Sequence, residues 1–348
     1  MTIAAKRGWQ VLPRGVRIVL ARLLLVVPQM VGVLFVTFFL VRLLPGDPAV
    51  LLLGSMATEA QVEQMRDRLG LNESIWAQFG HYANSVLRGD LGVLIFTSNP
   101  VGADLLDRAP ATLELITYAM ILTVVVGVVL AVISVVRAGG FVDVGSRVYG
   151  LAAGALPDFW VGLMLIYLFY TLLGWAPAPF GRIDALLSAP PYVTGFYTID
   201  ALLSGDFRGL GSSLGRLVLP VLTISIVNAG ALMKMTQSVY AGVWQSDFIR
   251  HARACGVPER TLVRAALRNS LPPIITMAGF LVGFLLGAAV LVETIFSWGG
   301  LGQYAVQSVM NSDYPALQGF ILVASAFILA VYLVVDILYE LVDPRIQV

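Results

Sequence analysis

The chain has 348 residues, of which 58% are hydrophobic and only 12% are charged, and its formal net charge is +1. Soluble domains carry about 25% charged residues, so this composition excludes an ordinary soluble protein and indicates one that lies in a bilayer. The single cysteine, Cys255, excludes an intramolecular disulfide. The two histidines, His81 and His251, are far apart in the sequence, so no structural metal site is expected.

Six apolar segments are long enough to cross a hydrocarbon core of about 30 Å, which needs roughly 20 helical residues. Backbone groups in lipid must be bonded within their own segment, so each segment is predicted to be a helix. The first follows a basic stretch, as a signal peptide would, but it is too long and lacks a small-residue cleavage site, so we interpret it as a retained span. The predicted spans cover about 20–42, 113–136, 148–173, 217–239, 274–296 and 317–341.

Proline and glycine predict local features of these spans. Pro28 in the first span and Pro157 in the third predict kinks or local irregularity. Small residues in the second and fifth spans predict close contacts between helices. These residues are Gly127 in the second span and Gly279, Gly283 and Gly287, which share one face, in the fifth.

The distribution of Lys and Arg predicts the orientation, because cytoplasmic loops carry the excess of these residues. Most lie in the inner segments when the N-terminus is cytoplasmic, and the even number of spans then returns the C-terminus to the cytoplasm. We therefore expect a cytoplasmic segment 1–19, a first helix 20–42, an extracytoplasmic segment 43–112 with short helices, a five-helix core 113–341 and a cytoplasmic tail 342–348. Within the core, 174–216 is expected outside and 240–273 inside.

Short helices are predicted in the first outer segment. Thr58 and Gln61 have the spacing of a capping box, and the helix that they begin should end at Gly70. A second helix should span about residues 75–87.

The chain contains no apparatus for ATP hydrolysis. No G-x-x-x-x-G-K-[ST] stretch occurs, and neither Lys6 nor Lys234 lies in a Gly-rich loop. Energy for transport would therefore come from a partner ATPase or from an ion gradient. Apart from Asp158, the centres of the spans lack charge, which disfavours proton or sodium coupling.

The predicted inner loop 247–273 is strongly basic, with the sequence DFIRHARACGVPERTLVRAALRNSLPP. A short helix is expected over about 248–256, ended by Gly256, with a second helix starting near Pro258. From charge alone two interpretations stay open. The loop is either a docking surface for a partner or a basic segment attracted to anionic lipid headgroups.

Short motifs follow one another along residues 17–346. They lie at 43–48, 69–71 with 88–92, 110–115, 156–160, 250–256 with 268–272, 293–302 with 313–315 and 318–319, and 343–345. In this order they resemble the motifs of the membrane permease subunits of bacterial ABC importers of the dipeptide/oligopeptide/nickel family. His251, Cys255 and Gly299 depart from the commoner family residues.

The resemblance implies a fold and a set of partners. The fold is all-α, with six transmembrane helices as in type I ABC importer permeases, in the inner membrane of a bacterial cell. A homologous second permease would complete the translocation path, two ATP-binding subunits would dock in the cytoplasm, and an extracytoplasmic binding protein would deliver the substrate. Membrane lipids surround the spans, and neither nucleic acid nor a cofactor is implied.

The resemblance also implies which residues carry the coupling, and no catalytic residue is expected in this chain. ATPase coupling is expected at Arg250, His251, Ala252, Arg253, Ala254, Cys255 and Gly256, supported by Arg260, Arg264, Arg268, Asn269 and Pro272.

Two acidic residues in the spans have alternative interpretations. Glu293 is either a gate or path residue or an interfacial carboxylate bonded to nearby backbone. Asp158 is either a path residue or a cap for backbone groups freed by the kink at Pro157.

Two other classes of function remain as alternatives, a gradient-driven carrier or channel that acts alone and a membrane scaffold. The substrate stays open among dipeptides, oligopeptides, nickel chelates, opines and other solutes.

Overall fold

The computed structural model describes residues 14–43, 48–54, 56–68, 70–94 and 98–342. Motif residues 44–47, 69 and 343–345 lie outside these ranges, as do the terminal residues 1–13 and 346–348, and the expectations for them stay predictions. Regular structure in the described residues is helical, apart from one isolated bridge between Val93 and Pro100.

The described helices are numbered here in chain order. α7 continues into a π-helical segment, Ile166–Leu172. They are α1 (Arg14–Leu43), α2 (Pro48–Leu53), α3 (Glu59–Arg68), α4 (Ile75–Leu87), α5 (Val101–Val136), α6 (Phe141–Ala153), α7 (Asp158–Leu165), α8 (Tyr197–Ser204), α9 (Phe207–Trp244), α10 (Asp247–Ala254), α11 (Glu259–Ile295), α12 (Leu301–Met310) and α13 (Tyr314–Val342).

Five described helices are long and apolar enough to cross a membrane. Phe141–Ala153 and Asp158–Leu172 pass the same criterion as a pair and are bent by 109° at the break between them, as in a broken span or a re-entrant loop. Counting this bent pair as one span gives the six spans that the sequence predicts. The five single-helix spans are Leu24–Arg42, Val101–Val136, Phe207–Trp244, Glu259–Ile295 and Tyr314–Leu338.

The third span is a broken helix, so its prediction as one helix over 148–173 is wrong, whereas the irregularity predicted at Pro157 is confirmed. Pro157 has an extended backbone (φ −70°, ψ 141°). Proline has no N–H to continue the hydrogen-bond ladder and disfavours helical geometry in the residue before it. α1, in contrast, stays helical through Pro28.

Several helices extend beyond the apolar segments that predict them. α5 begins at Val101, α9 at Phe207 and α11 at Glu259, so parts of the segments expected as loops are helical. Hydropathy detects only the lipid-embedded turns, whereas a helix continues into polar surroundings as long as its backbone bonds are made.

The described chain divides into two compact units, and the first comprises residues 1–109 and 303–330. The predicted capping box is confirmed there: the Thr58 N–H donates to Gln61 Oε1 (2.9 Å) and the Gln61 N–H to Thr58 Oγ1 (3.4 Å). The helix predicted over 75–87 is also confirmed. It packs on α1 through aromatic rings, with Phe38 of α1 against Phe79 and Tyr82 of α4 at centroid distances of 5.2 and 5.7 Å.

The second unit comprises residues 110–302 and 331–348, and α9 packs along α11 within it. Two predicted glycine contacts are tight: Gly127 lies against Leu232, and a Cβ at Gly279 would lie 2.4 Å from Val335 Cγ2. Gly283 faces the Tyr332 hydroxyl more loosely. At Gly287 no such contact is made within the described chain, where nothing lies within 4 Å of the place of its Cβ.

Candidate functional site

α10 is held on the second unit by its apolar face. Ile249 is fully buried in a cluster with Tyr240 of α9 and Leu262 and Ala266 of α11. Burying an isoleucine side chain contributes roughly 1.5–3 kcal/mol. Ala252 packs against the same cluster, as do Val132, Val135 and Val136 at the end of α5. α10 is therefore fixed at once to the ends of three membrane helices.

The end of α10 requires a glycine. Gly256 has φ +77°, in the left-handed region. The Gly256 N–H donates to the Arg253 carbonyl (3.0 Å) and the Val257 N–H to the Ala252 carbonyl (3.1 Å). These two bonds form a Schellman motif, which is usually accompanied by an apolar contact between the residues bonded across it. Ala252 and Val257 pack against the same cluster, and the chain then turns sharply into α11.

The other face of α10 is exposed and basic. Arg250, His251, Arg253 and Cys255 are all exposed, and 47% of Phe248 beside them is exposed. Arg250 pairs with Asp247 of its own helix, and the Arg253 guanidinium lies 4.8 Å from the centre of the Trp244 ring. Exposed pairs of this kind are worth about 0–1 kcal/mol, so both guanidinium groups can exchange these partners for a carboxylate on another protein at little cost.

The residues expected around this helix have unequal environments. Ala252 faces the apolar cluster, whereas Ala254 is exposed. The Cys255 sulfur lies 3.7 Å from His251 Nε2. The predicted supporting residues lie on α11, where three exposed arginines four residues apart extend the basic face. These residues are Arg260, Arg264 and Arg268, with exposed Asn269 and buried Pro272.

A buried ion pair, which the sequence does not single out, lies at the opposite end of α5. Arg182 contacts Glu114 Oε2 at 2.5 Å, and the two side chains are only 11% and 2% exposed. Thr198 donates to Glu114 Oε1 from its N–H (2.9 Å) and its hydroxyl (2.6 Å). Arg182 also donates to the Gly195 carbonyl and lies 3.7 Å from the centre of the Tyr197 ring. We name Glu114, Arg182, Thr198 and Asp200 the loop anchor.

Asp200 orders the turn that leads into α8. It accepts hydrogen bonds from the Thr194 hydroxyl and from the N–H groups of Val193, Thr194 and Gly195. Burial by itself raises the pKa of this carboxyl, but these hydrogen bonds outweigh it and hold the pKa below its ordinary value. The predicted loop 174–216 is therefore, between Arg182 and Asp200, an ordered element fastened to α5.

The loop anchor and α10 are far apart along α5. The stretch from Glu114 to Val132 is about 27 Å long at 1.5 Å per residue, close to the hydrocarbon thickness of about 30 Å.

Glu293 lies on the same side as the loop anchor, fully buried at the end of α11. It accepts a hydrogen bond from Thr112 (2.6 Å), whose hydroxyl in turn accepts the Leu301 N–H (2.7 Å). The backbone of Gly300 and Gly302 packs directly on its carboxylate. This enclosure favours the interpretation of Glu293 as a carboxylate that fixes the turn after α11 over its interpretation as a gate.

Asp158 is half-buried at the first position of α7. Its carboxylate accepts a hydrogen bond from the Asn228 side chain of α9 (3.3 Å) and another from its own backbone N–H at the start of α7. The N–H of the first helical residue has no partner within the helix, so this backbone bond agrees with the capping interpretation of Asp158.

A second polar cluster missed by the sequence reasoning joins α5, α6 and α9. Asp143 accepts hydrogen bonds from Ser134 (2.8 Å), the Gly139 N–H (2.9 Å) and Arg147 (2.7 Å). Gln237 extends the cluster through Ser146. A carboxylate two residues into a helix is a common surface feature, so no signal in the sequence marks Asp143.

The spans, the broken third span and a surface helix wedged between the fourth and fifth spans define the class: a polytopic α-helical membrane protein. The family model described as "Binding-protein-dependent transport system inner membrane component" matches residues 123–348. Its N-terminal companion, described as "Binding-prot-dependent transport system membrane comp, N-term", matches residues 15–116.

Curated relatives match almost the whole chain. A probable D,D-dipeptide transport system permease protein of Escherichia coli is 42% identical over 90% of this chain and 93% of its own length. The dipeptide transport system permease protein of Alkalihalophilus pseudofirmus is 37% identical over 94% of this chain and 98% of its own. The di/tripeptide transport system permease protein of Pseudomonas aeruginosa is 38% identical over 94% and 97%.

The chain belongs to the family of binding-protein-dependent transport system inner membrane components. It is a permease subunit of the ABC importer type, located in the inner membrane, and the family is one of membrane permease components rather than enzymes.

Proposed function

We propose that this chain is the permease subunit of an ATP-driven importer of dipeptides or similar short peptides. A second, homologous permease completes the path, two ATP-binding subunits dock on the side of α10, and a binding protein delivers the peptide on the side of the loop anchor. The peptide class is supported by the names of the relatives, which are dipeptide and di/tripeptide permeases.

The observation that carries this proposal is the mounting of α10. Its apolar face is fixed to α5, α9 and α11, while Arg250 to Gly256 project a basic, mostly exposed surface. A short helix fixed in this way moves as one body with the three membrane helices. Docking of an ATPase at Arg250 and Arg253 through charge-assisted bonds then transmits its closure to the path, a two-state rocking of helices.

The transport experiment uses the complex of this chain with its second permease, ATPases and binding protein, reconstituted in liposomes. Uptake of a labelled dipeptide should require ATP on the side of the membrane where the ATPase subunits dock, and it should persist when an uncoupler is present. Uptake by this chain alone that an uncoupler abolishes would instead establish a gradient-driven carrier. Parallel assays with a longer peptide, a nickel chelate and an opine assign the substrate. ATP-dependent uptake of a non-peptide solute, without uptake of any peptide, would contradict the peptide class.

The orientation is part of the proposal, and Cys255 offers a direct test because it is the only cysteine in the sequence and is exposed. A membrane-impermeant maleimide should label it in inside-out vesicles and not in intact spheroplasts. Cys255→Ser, which has no thiol, is the negative control. Leu203→Cys in that background, at a position 62% exposed on α8, should show the reverse pattern. Labelling of Cys255 in spheroplasts would overturn the orientation and, with it, cytoplasmic docking at α10.

A further inference from the structure

The break in the third span exposes an incomplete polar pair, Asp158 and Asn228. The Asn228 side-chain nitrogen donates both to Asp158 Oδ1 (3.3 Å) and to the Ile224 carbonyl (2.8 Å). Asn228 Oδ1 and Asp158 Oδ2 accept no side-chain hydrogen bond in the described part of the chain. Among the described residues, the carboxylate of Asp158 receives only the bond from Asn228 and one from its own backbone N–H, and Asn228 Oδ1 beside it receives no side-chain donor.

The pair lies near the middle of the membrane. Asn228 is midway along α9 between Arg216, which bonds the loop after the third span, and Tyr240, which lies beneath α10. It is about 18 Å from each along the helix at 1.5 Å per residue. A carboxylate at this depth is costly unless it faces water or a cation.

No protein cation neutralises Asp158 in the described residues, where it takes part in no ion pair. Lys234, the basic residue nearest to Asn228 along α9, packs its side chain against Gly150 instead. A cation that neutralises Asp158 would therefore come from outside this chain.

The surface around the pair suits an organic cation. Ala155 is exposed in the break, and Phe159 and Trp160 are 41% and 43% exposed on the first turn of α7. A primary ammonium has three donors and no acceptor, which matches a carboxylate without a cation beside an amide oxygen, and aromatic faces attract cations. A metal ion is a poorer match, since no group of three or more potential metal ligands occurs among the described residues.

We propose that Asp158 and Asn228 form a transient site in the translocation path for the primary ammonium group of the peptide in transit. The inference rests on the proposed function, because it takes the peptide amino terminus as the cation. Asp158 provides the charge and Asn228 orients it, beside the 109° bend between α6 and α7.

A labelling experiment tests the site without transport. In the assembled complex in nanodiscs, Ala155→Cys in the Cys255→Ser background is treated with 2-aminoethyl methanethiosulfonate, which carries a primary ammonium, and with neutral methyl methanethiosulfonate. A thiolate in water attacks the sulfenyl sulfur of a methanethiosulfonate, forming a mixed disulfide and releasing methanesulfinate, so both reagents should react at a path position. The ratio of the cationic rate to the neutral rate should fall about fivefold or more with Asp158→Asn.

Two variants control this result. Asp158→Glu keeps the charge and should keep the ratio, and Glu63→Gln, which removes an exposed carboxylate of α3, should leave it unchanged. An Ala155→Cys that reacts with neither reagent would place the pair against lipid and overturn the proposal. An unchanged ratio in Asp158→Asn would do the same.

Uptake by the reconstituted complex separates this inference from the proposed function. Asp158→Asn should lower ATP-driven uptake of a dipeptide about tenfold, while binding-protein-stimulated ATP turnover persists and Asp158→Glu restores uptake. Absence of ATP-dependent peptide uptake by the wild type would refute the proposed function. Normal wild-type uptake that Asp158→Asn leaves unchanged would refute only the ammonium site.

Discussion

Replacing Gly256 by valine should lower ATP-coupled uptake at least tenfold while the chain still assembles in the membrane. Gly256 has φ +77°, a conformation that costs an ordinary L-residue roughly 1–2 kcal/mol and a β-branched residue more. Nothing lies within 4 Å of the place of its Cβ, so the effect comes from the backbone and not from a clash. When the backbone relaxes to relieve this strain, the hydrogen bonds of residues 256 and 257 to α10 break. The direction in which α11 leaves α10 then changes.

The measurement is dipeptide uptake together with substrate-stimulated ATP turnover in the reconstituted complex. Gly256→Asn is the matched variant, because asparagine tolerates the left-handed region, and it should retain most of the uptake. Gly242→Ala is the second control, since Gly242 is exposed in α9 without a positive φ and without close neighbours. If Gly256→Val retained wild-type uptake and stimulation, the transmission of ATPase motion through α10 would be refuted.

Substituting Glu114 by glutamine should destabilise the chain by about 3–5 kcal/mol, because it leaves the buried Arg182 charge without its counterion. The glutamine carbonyl can still accept the two hydrogen bonds from Thr198, so the loss of stability measures the effect of the missing charge. Arg182 has no alternative ion partner in the described residues, and its Nε is buried there without a hydrogen-bond partner. Denaturant unfolding of the purified chain in detergent measures the free energy.

The double variant Glu114→Gln, Arg182→Met should recover much of this loss, since removing both charges of a buried pair costs less than removing one. Glu63→Gln breaks the exposed pair with Arg66, whose side chains are 57% and 42% exposed, and should change the free energy by less than about 1 kcal/mol. An equally small change for Glu114→Gln would show that the loop anchor contributes little to the stability of the fold.

Local features are predictable where one residue type has one physical use. The capping box at Thr58, the break at Pro157 and the end of α10 at Gly256 each follow from the backbone chemistry of one or two residues, and all three are present in the structure. Contact between helices is less predictable. Gly279 and Gly287 have the same spacing and face, but only Gly279 meets another helix, since the neighbour depends on how α13 lies along α11.

The sequence by itself predicted the membrane class, six membrane spans, a short helix at about 248–256 and, through its motifs, the family. These properties depend on the length of apolar segments, on the spacing of arginines and on short-range turn chemistry. The tertiary structure decided which polar residues are paired. Glu114 and Arg182 are far apart in sequence and meet because the loop folds back on α5. Glu293 is enclosed by the turn after α11, and Asp158 at the break meets Asn228 of α9. The charge of a side chain is a property of the residue, but its burial and its partner belong to the fold.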